Sequence, residues 1–316
     1  MKNGDNRPEG PVPALRFPKF RDAPPWEVKR LGEVGEFIGG GTPDTSVPGY
    51  WNGKMAWVSS SDLTDEDIFS LNIDKRITDE AIQSSATKIV PRGAVLIVTR
   101  VGVGKCALAP EDLCTSQDFT NFIPRYGLPS YFAYWLLSNR NRLLSLQQGT
   151  SIKGVSMSDL KAIKIPLPSL PEQREIAGCL SSLDDLIEAR EGQVAALKLH
   201  KRGLMQKLFP APGETTPALR FPEFRDTPPW QVKRLGEVAD IKRGASPRPI
   251  SSPIWFDDES DIGWVRISDV TASGRVLLKT TQNLSQEGVK KSRIVPPGHI
   301  IMSICGTIGK PICTGF

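Results

Sequence analysis

The sequence predicts an α+β protein: globular domains of mixed strands and short helices, joined by one long spacer helix of coiled-coil type. Two observations carry the prediction. A block of strand-and-turn sequence is written twice, at an offset that stays between 204 (Pro13 to Pro217) and 207 (Trp57 to Trp264). Between the copies, aliphatic residues follow a 4-3 spacing that places them along one side of a helix. At 316 residues the chain is long enough for two domains with a core each.

In chain order, the first copy opens on "PALRFPKFRDAPPWEVKRLGEV" (Pro13–Val34), answered by "PALRFPEFRDTPPWQVKRLGEV" (Pro217–Val238) with three letters changed. Phe37–Trp51 and Ile241–Trp255 then share little beyond a Gly-x-x-Pro pattern. "MAWVSSSDLTD" (Met55–Asp65) answers "IGWVRISDVTA" (Ile262–Ala272), matching Trp57 to Trp264 and Asp62 to Asp269. "TKIVPRGAVLIVTRVGVGK" (Thr87–Lys105) answers "SRIVPPGHIIMSICGTIGK" (Ser292–Lys310). Within these, Ala94–Thr99 and His299–Ile304 are apolar β-type runs between a Pro-x-Gly turn and a Gly-rich turn. This is duplication of a whole domain rather than a short-period solenoid. A constant frame carries variable loops, as suits two recognition modules that read different things.

The first copy continues through an aromatic helical stretch, Tyr131–Leu146, and a turn-rich segment to Pro166. The helix follows. Ser169 is set as N-cap, with Pro171 in the first turn and Glu172 at N3 as a capping box. Ile176, Leu180, Leu183, Ile187, Val194, Leu197, Leu204 and Leu208 hold the 4-3 repeat, interrupted only by Arg190 and Lys201, until Phe209-Pro210 ends it. Glu172, Glu175, Asp184, Asp185, Glu188 and Glu191 precede Lys198, Lys201, Arg202 and Lys207. That order complements the helix dipole and makes the helix self-complementary when paired antiparallel, so a homodimer through the helix is expected. The expected division is 1–166, 167–212 and 213–316, the last an incomplete second copy that stops near the equivalent of residue 111.

Composition narrows the function. Hydrophobic residues at 39% and charged residues at 24% are ordinary soluble-protein values, and a net charge of +5 suits a polyanionic partner. No apolar run reaches membrane-spanning length and the start is polar, so a cytoplasmic protein is expected. Five cysteines without a CxxC, and only His200 and His299, argue for reduced thiols and no zinc site.

Catalytic motifs fail on spacing. "DAPPW" resembles the Asn/Asp-Pro-Pro-aromatic signature of amino-methyltransferases, but Ala23 separates the acid from Pro-Pro. "VGVGK" (Val101–Lys105) and "GTIGK" (Gly306–Lys310) lack the P-loop's first glycine spacing and its Ser/Thr, and read as β-turns with an exposed lysine. "EVK" (Glu27–Lys29) and "DLK" (Asp159–Lys161) look like half of a nuclease metal site without its partner acid, and read as surface. "GGGTP" (Gly39–Pro43) offers a weak phosphate cradle of backbone amides. No catalytic residue, metal or cofactor is therefore assigned. Basic and hydroxyl residues do group where loops are expected: Thr42, Ser59, Ser60, Ser61, Arg100, Lys105, Gln147, Gln148, Thr150, Ser151 and Lys153 in the first copy. The second offers Lys242, Arg243, Arg248, Arg266, Lys290, Lys291, Arg293 and Lys310. Such side chains grip phosphates and read groove edges.

Three stretches carry a resemblance. "IKIPLPSLPEQREIAGCLSSLDDLIEA", running on to "ALKLHKRGLMQKLF" (Ile163–Phe209), resembles the spacer helix of the specificity subunits of type I restriction–modification systems. "WEVKRLGEV" with "GGGTP" and "WVSSSDL" resembles the start of a target recognition domain in that family, and "WQVKRLGEV" with "WVRISDV" resembles a second. The resemblance covers all but the first dozen residues. It implies a non-catalytic subunit that reads a bipartite double-stranded DNA target, one half per recognition domain. It also implies docking to adenine-N6 methyltransferase subunits and ATP-driven restriction subunits, which hold the catalytic sites. The chain departs from the family in stopping within its second recognition domain. The rival reading is a non-catalytic coiled-coil adaptor that binds protein partners.

Overall fold

Residues 10–148 and 153–316 are described by a computed structural model, in which the chain divides into two units, Met1–Leu204 and Met205–Phe316. Strands and helices are mixed in both, and the architecture is α+β. The first unit runs β1 (Glu27–Arg30), α1 (Leu31–Val34), β2 (Gly35–Gly39), β3 (Met55–Val58), β4 (Lys75–Ile77), α2 (Asp79–Gln83), β5 (Ile89–Val90) and β6 (Val95–Ile97). It continues with β7 (Cys106–Leu108), β8 (Leu113–Thr115), β9 (Thr120–Pro124), α3 (Pro129–Ser138), α4 (Arg140–Ser145), α5 (Met157–Ala162), β10 (Lys164–Leu167) and α6 (Leu170–Leu208).

Alternation along the strands builds the layers, because successive side chains leave a strand on opposite faces. One sheet has the order β2-β9-β6-β7 and a second β4-β3-β8-β5, in which β3 and β8 are parallel. Along β6, Val95 and Ile97 enter a core shared with Leu31, Val34, Phe122, Phe132, Leu136, Leu160 and Ile165, whereas Leu96 enters the core between the sheets. Along β3, Ala56 and Val58 join that intersheet core, and Trp57 packs outside it with Ile77, Ala81 and Cys114. The aromatic stretch forms α3, begun by Pro129 at its first position, where no amide is needed.

The start of α6 is buried in the first unit. The Glu172 carboxylate, expected in a capping box, takes a two-pronged pair with Arg16, Nε to Oε1 at 2.7 Å and Nη2 to Oε2 at 2.8 Å. Arg16 also donates to Ala23 O (2.7 Å) and Pro24 O (3.0 Å), which fastens the repeated opening phrase to the helix. Gln173 accepts from Leu128 N–H and donates to Pro168 O, both at 2.8 Å. β1 then pairs antiparallel with β10, Glu27 opposite Leu167 and Arg30 opposite Lys164. Ile176, counted with the coiled-coil stripe from its spacing, packs instead on the first unit's core, and Ala177 is buried beside it. From Leu180 onward the stripe is open: Leu183 is 51% and Leu197 67% exposed, and Leu186 and Leu199 broaden it. Leu204 and Leu208 are half-buried.

The second unit contains α7 (Leu235–Val238), α8 (Ile267–Ala272), β11 (Val276–Leu277), α9 (Gln286–Lys290), β12 (Ile300–Met302) and β13 (Pro311–Thr314). Its sheet has the order β11-β13-β12, and a small core gathers Val265, Val270, Leu277, Ile301 and Ile312. Ile300 and Met302 are exposed, although their counterparts Val95 and Ile97 are buried.

Candidate nucleic-acid interface

Strand direction brings the variable loops of the first unit to one end. β2 leaves its sheet where β9 begins, β6 ends beside the same point, and the parallel strands β3 and β8 finish side by side. Backbone bonds knit the loops together: Gly40 N–H to Phe119 O (3.1 Å), Gly41 N–H to Thr115 O, Ser116 N–H to Val58 O and Thr99 N–H to Asp118 O (each 2.8 Å). Val155 N–H donates to Thr99 O at 2.8 Å, and Gln148 and Gly154 exchange two backbone bonds of 2.8 and 2.9 Å. Arg100 is thereby brought beside Gln148 and Lys153, some fifty residues later in the chain, and all three are exposed. Ser60 and Thr42 stand half-buried at the same end. Thr150 and Ser151 lie outside the described residues.

Several expected contacts are committed elsewhere. The Ser59 hydroxyl donates to Asp62 Oδ2 (2.7 Å), which also accepts Ser59 N–H, so this serine caps the short turn Ser60–Asp62. Lys105 was expected as an exposed turn lysine. It is half-buried, and its ammonium donates to Leu63 O at 2.9 Å; Lys310 repeats the tie to Thr271 O, also at 2.9 Å. A lysine held on a backbone carbonyl serves to close the turn onto its neighbour. The turn itself is as expected, with Gly104 at φ +92° and a Cβ there placed 2.4 Å from Arg140 Cγ. The Gly39–Pro43 cradle is also spent, since the Gly40 and Gly41 amides serve the sheet and Gly41 O accepts from Trp57 Nε1 and Thr87 Oγ1.

In the second unit Arg266 is half-buried over the Trp264 ring, its guanidinium 5.6 Å from the ring centre and bonded to the Thr281 hydroxyl. Lys242 pairs with Asp240 and Lys290 with Glu287. Arg243, Arg248, Lys291 and Arg293 are exposed. Sequence reasoning missed two residues at the loop end of the first unit. Lys88 is exposed next to Thr87, and Gln117 is exposed in the polar Thr115–Asp118 break between two apolar runs, a signal visible in the sequence.

Burial pushes the Cys106 thiol up to about 12 and the Cys114 thiol up to about 11, far from the thiolate needed for reactivity. Among the described residues no group of three His, Cys, Asp or Glu side chains is placed to hold a metal ion. Among them, too, no helix is long and apolar enough to cross a membrane.

Comparison with known proteins matches residues 24–199 to the type I restriction modification DNA specificity domain. The type I restriction enzyme MjaIX specificity subunit of Methanocaldococcus jannaschii is 32% identical over 229 residues, 70% of this chain and 53% of that one. The EcoR124I/EcoR124II specificity subunit of Escherichia coli is 29% identical over 185 residues, 56% of this chain and 45% of that one. The chain thus spans about half the length of the curated relatives it matches. Among solved structures, the type I restriction–modification S subunit from M. genitalium aligns over 92% of this chain and 70% of that one, at 15% identity and a TM-score of 0.48.

Proposed function

The chain belongs to the type I restriction modification DNA specificity family, and from that premise we propose that it reads DNA sequence for a restriction–modification assembly and performs no chemistry itself. The observation that carries the reading is the gathering of Lys88, Arg100, Lys153, Gln117 and Gln148 at one end of the first unit. Cations there suit phosphates, while glutamine and hydroxyl groups suit base edges. Each unit takes one half of a bipartite duplex target, the second through Arg243, Arg248, Lys291 and Arg293. Adenine-N6 methyltransferase subunits dock on the chain, and restriction subunits join through them, supplying methylation, cleavage and their cofactors. Exchanging Phe37–Lys153 for the matching segment of another family member is expected to transfer one half of the recognised site and leave assembly unchanged. Unaltered preference after the exchange places readout outside the loops and removes the reading.

The spacer adds a partner. Leu180, Leu183, Ile187, Val194 and Leu197 present an aliphatic stripe to water along α6. Burying each leucine contributes about 1.5–3 kcal/mol, against tenths for exposed ion pairs. A second copy of the helix, antiparallel, covers the stripe and sets Glu188 and Glu191 against Lys198, Lys201 and Arg202. Such a helix is about 60 Å long, so the two first units of a dimer stand more than one turn of DNA apart. Sedimentation is expected to give a dimer for the wild-type chain and a monomer for Leu183→Lys with Leu197→Lys. A wild-type monomer sinks the homodimer but leaves DNA reading intact.

A further inference from the structure

Besides its leucines, α6 carries a second stripe, and this one faces the first unit. Gln173 and Ala177 are buried, Ser181 and Asp184 are half-buried, and every residue from Asp185 to Arg202 is exposed. Steps of four, four and three set these residues on one face of the helix. Contact along that face is interrupted. Past Ala177 a cleft opens under the helix, lined by Phe69, Leu108, Leu128, Arg174, Gly178 and Ser181. A Cβ added at Gly178 would meet nothing within 4 Å.

Beyond the cleft a single tie brings the helix back. Tyr134, one turn along α3 from Ser130 at the cleft wall, donates its hydroxyl to Asp184 Oδ2 at 2.5 Å. Phe69 meets the tyrosine ring edge-on, with centres 6.4 Å apart and planes at 75°. Phe69 lies in the loop that follows the Ser60–Asp62 turn, and Leu108 N–H holds that loop by donating to Ile68 O at 2.8 Å. Burial first, and then the bond to Asp184, push the Tyr134 hydroxyl above its ordinary value, so it keeps its proton and stays a donor.

We propose that Tyr134 and Asp184 are positioning residues that fix the direction in which α6 leaves the first unit, and with it the separation at which two half-sites are read together. The half-site role rests on the reading of the chain as two DNA-reading units joined by α6. The buried start of the helix cannot set its direction alone, because Glu172 and Ala177 are only about 8 Å apart along the axis. Asp184 adds a second point of hold about 18 Å from Glu172. Without it the pivot falls back to Ala177, about 40 Å short of Leu204, and a swing of about 10° there carries the far end through about 7 Å. That distance is about two base-pair steps of 3.4 Å. A hydrogen bond to an ionised carboxylate favours the held arrangement on the order of tenfold, enough to keep one direction dominant.

The test uses the full 316-residue chain with Cys179, Cys305 and Cys313 replaced by serine and spin labels on Glu80→Cys and Lys198→Cys, both exposed positions. Labelled chain is diluted into unlabelled chain, so that only distances within one molecule are read. The parent is expected to give one narrow distance distribution. Tyr134→Phe, which keeps the ring on Phe69, should broaden it by about 5 Å, and Asp184→Ala should do the same. Asp184→Asn retains an acceptor and should stay close to the parent, and Tyr134→Phe with Asp184→Ala should add nothing to either alone. Selection of bound duplexes from a random pool gives the second readout. The parent should enrich two motifs at one separation, and Tyr134→Phe the same two motifs over a range wider by about two base pairs. Equal distance widths in parent and Tyr134→Phe overturn the proposal, as does a single unchanged motif separation in the variant. A parent that enriches no motif overturns the DNA reading and the half-site role with it, while the distance widths still decide whether the tyrosine directs the helix.

Discussion

Arg16→Met is expected to lower the unfolding temperature of the first unit by about 10 °C. The Glu172 side chain is 2% exposed and that of Arg16 7%, so neither charge can turn to water when the other is removed. The hydrogen bonds from Arg16 to the carboxylate raise the guanidinium further above its ordinary value, and the methionine stem keeps the apolar contacts while deleting every donor. What remains is a carboxylate stranded at a helix start, together with two carbonyls that have lost their donor. Arg16→Met combined with Glu172→Leu should recover most of the loss, because a buried pair replaced by apolar groups is often near neutral. Circular dichroism melts of the two single variants and the double would show it. A shift under about 2 °C for Arg16→Met means that the phrase is held by its apolar contacts instead.

That pair marks where sequence reading ran out. The duplication, the α+β class and the long helix were legible from a nearly constant offset of 204 to 207, apolar β-type runs set between turns, and a 4-3 spacing over Ile176–Leu208. The role of Glu172 was not. Its place three residues after Ser169 is equally that of a capping box, and the arginine that claims it lies 156 residues earlier. Distance in sequence hid the partner of Lys105 too. Lys105 looked free because its acceptor, Leu63 O, belongs to a different loop, and Ser59 looked free although Asp62 stands at S-x-x-D spacing from it. The candidate interface was legible as a set of loops and much less as residues. Arg100, Gln148 and Lys153 come together through backbone bonds at Thr99 and Gly154 that leave no trace in side-chain identity.

The helix shows the same limit from the other side. A heptad pattern says that a face is apolar without saying what covers it, and the first position, Ile176, is covered by the first unit itself. Leu180 to Leu197 follow the pattern into solvent, where Leu186 and Leu199 make the stripe wider than two positions per heptad.

Titration of duplex DNA against the full chain, repeated across salt concentrations, tests most directly whether this chain is a DNA reader. Seven exposed cations, Lys88, Arg100, Lys153, Arg243, Arg248, Lys291 and Arg293, stand in the loops proposed to meet DNA. If each neutralises one phosphate, log affinity falls with log salt at a slope of about −6, which is roughly a 10³- to 10⁴-fold loss between 50 and 200 mM. The three in the first unit alone would give a slope of about −3. Arg100→Gln with Lys153→Gln is expected to make the slope shallower by about 2 and to weaken binding at low salt. Lys105→Met should leave the slope unchanged, because its ammonium is held on Leu63 O. A flat salt dependence, or a wild-type slope in the Arg100 and Lys153 double variant, would contradict the account and favour a chain whose loops bind protein.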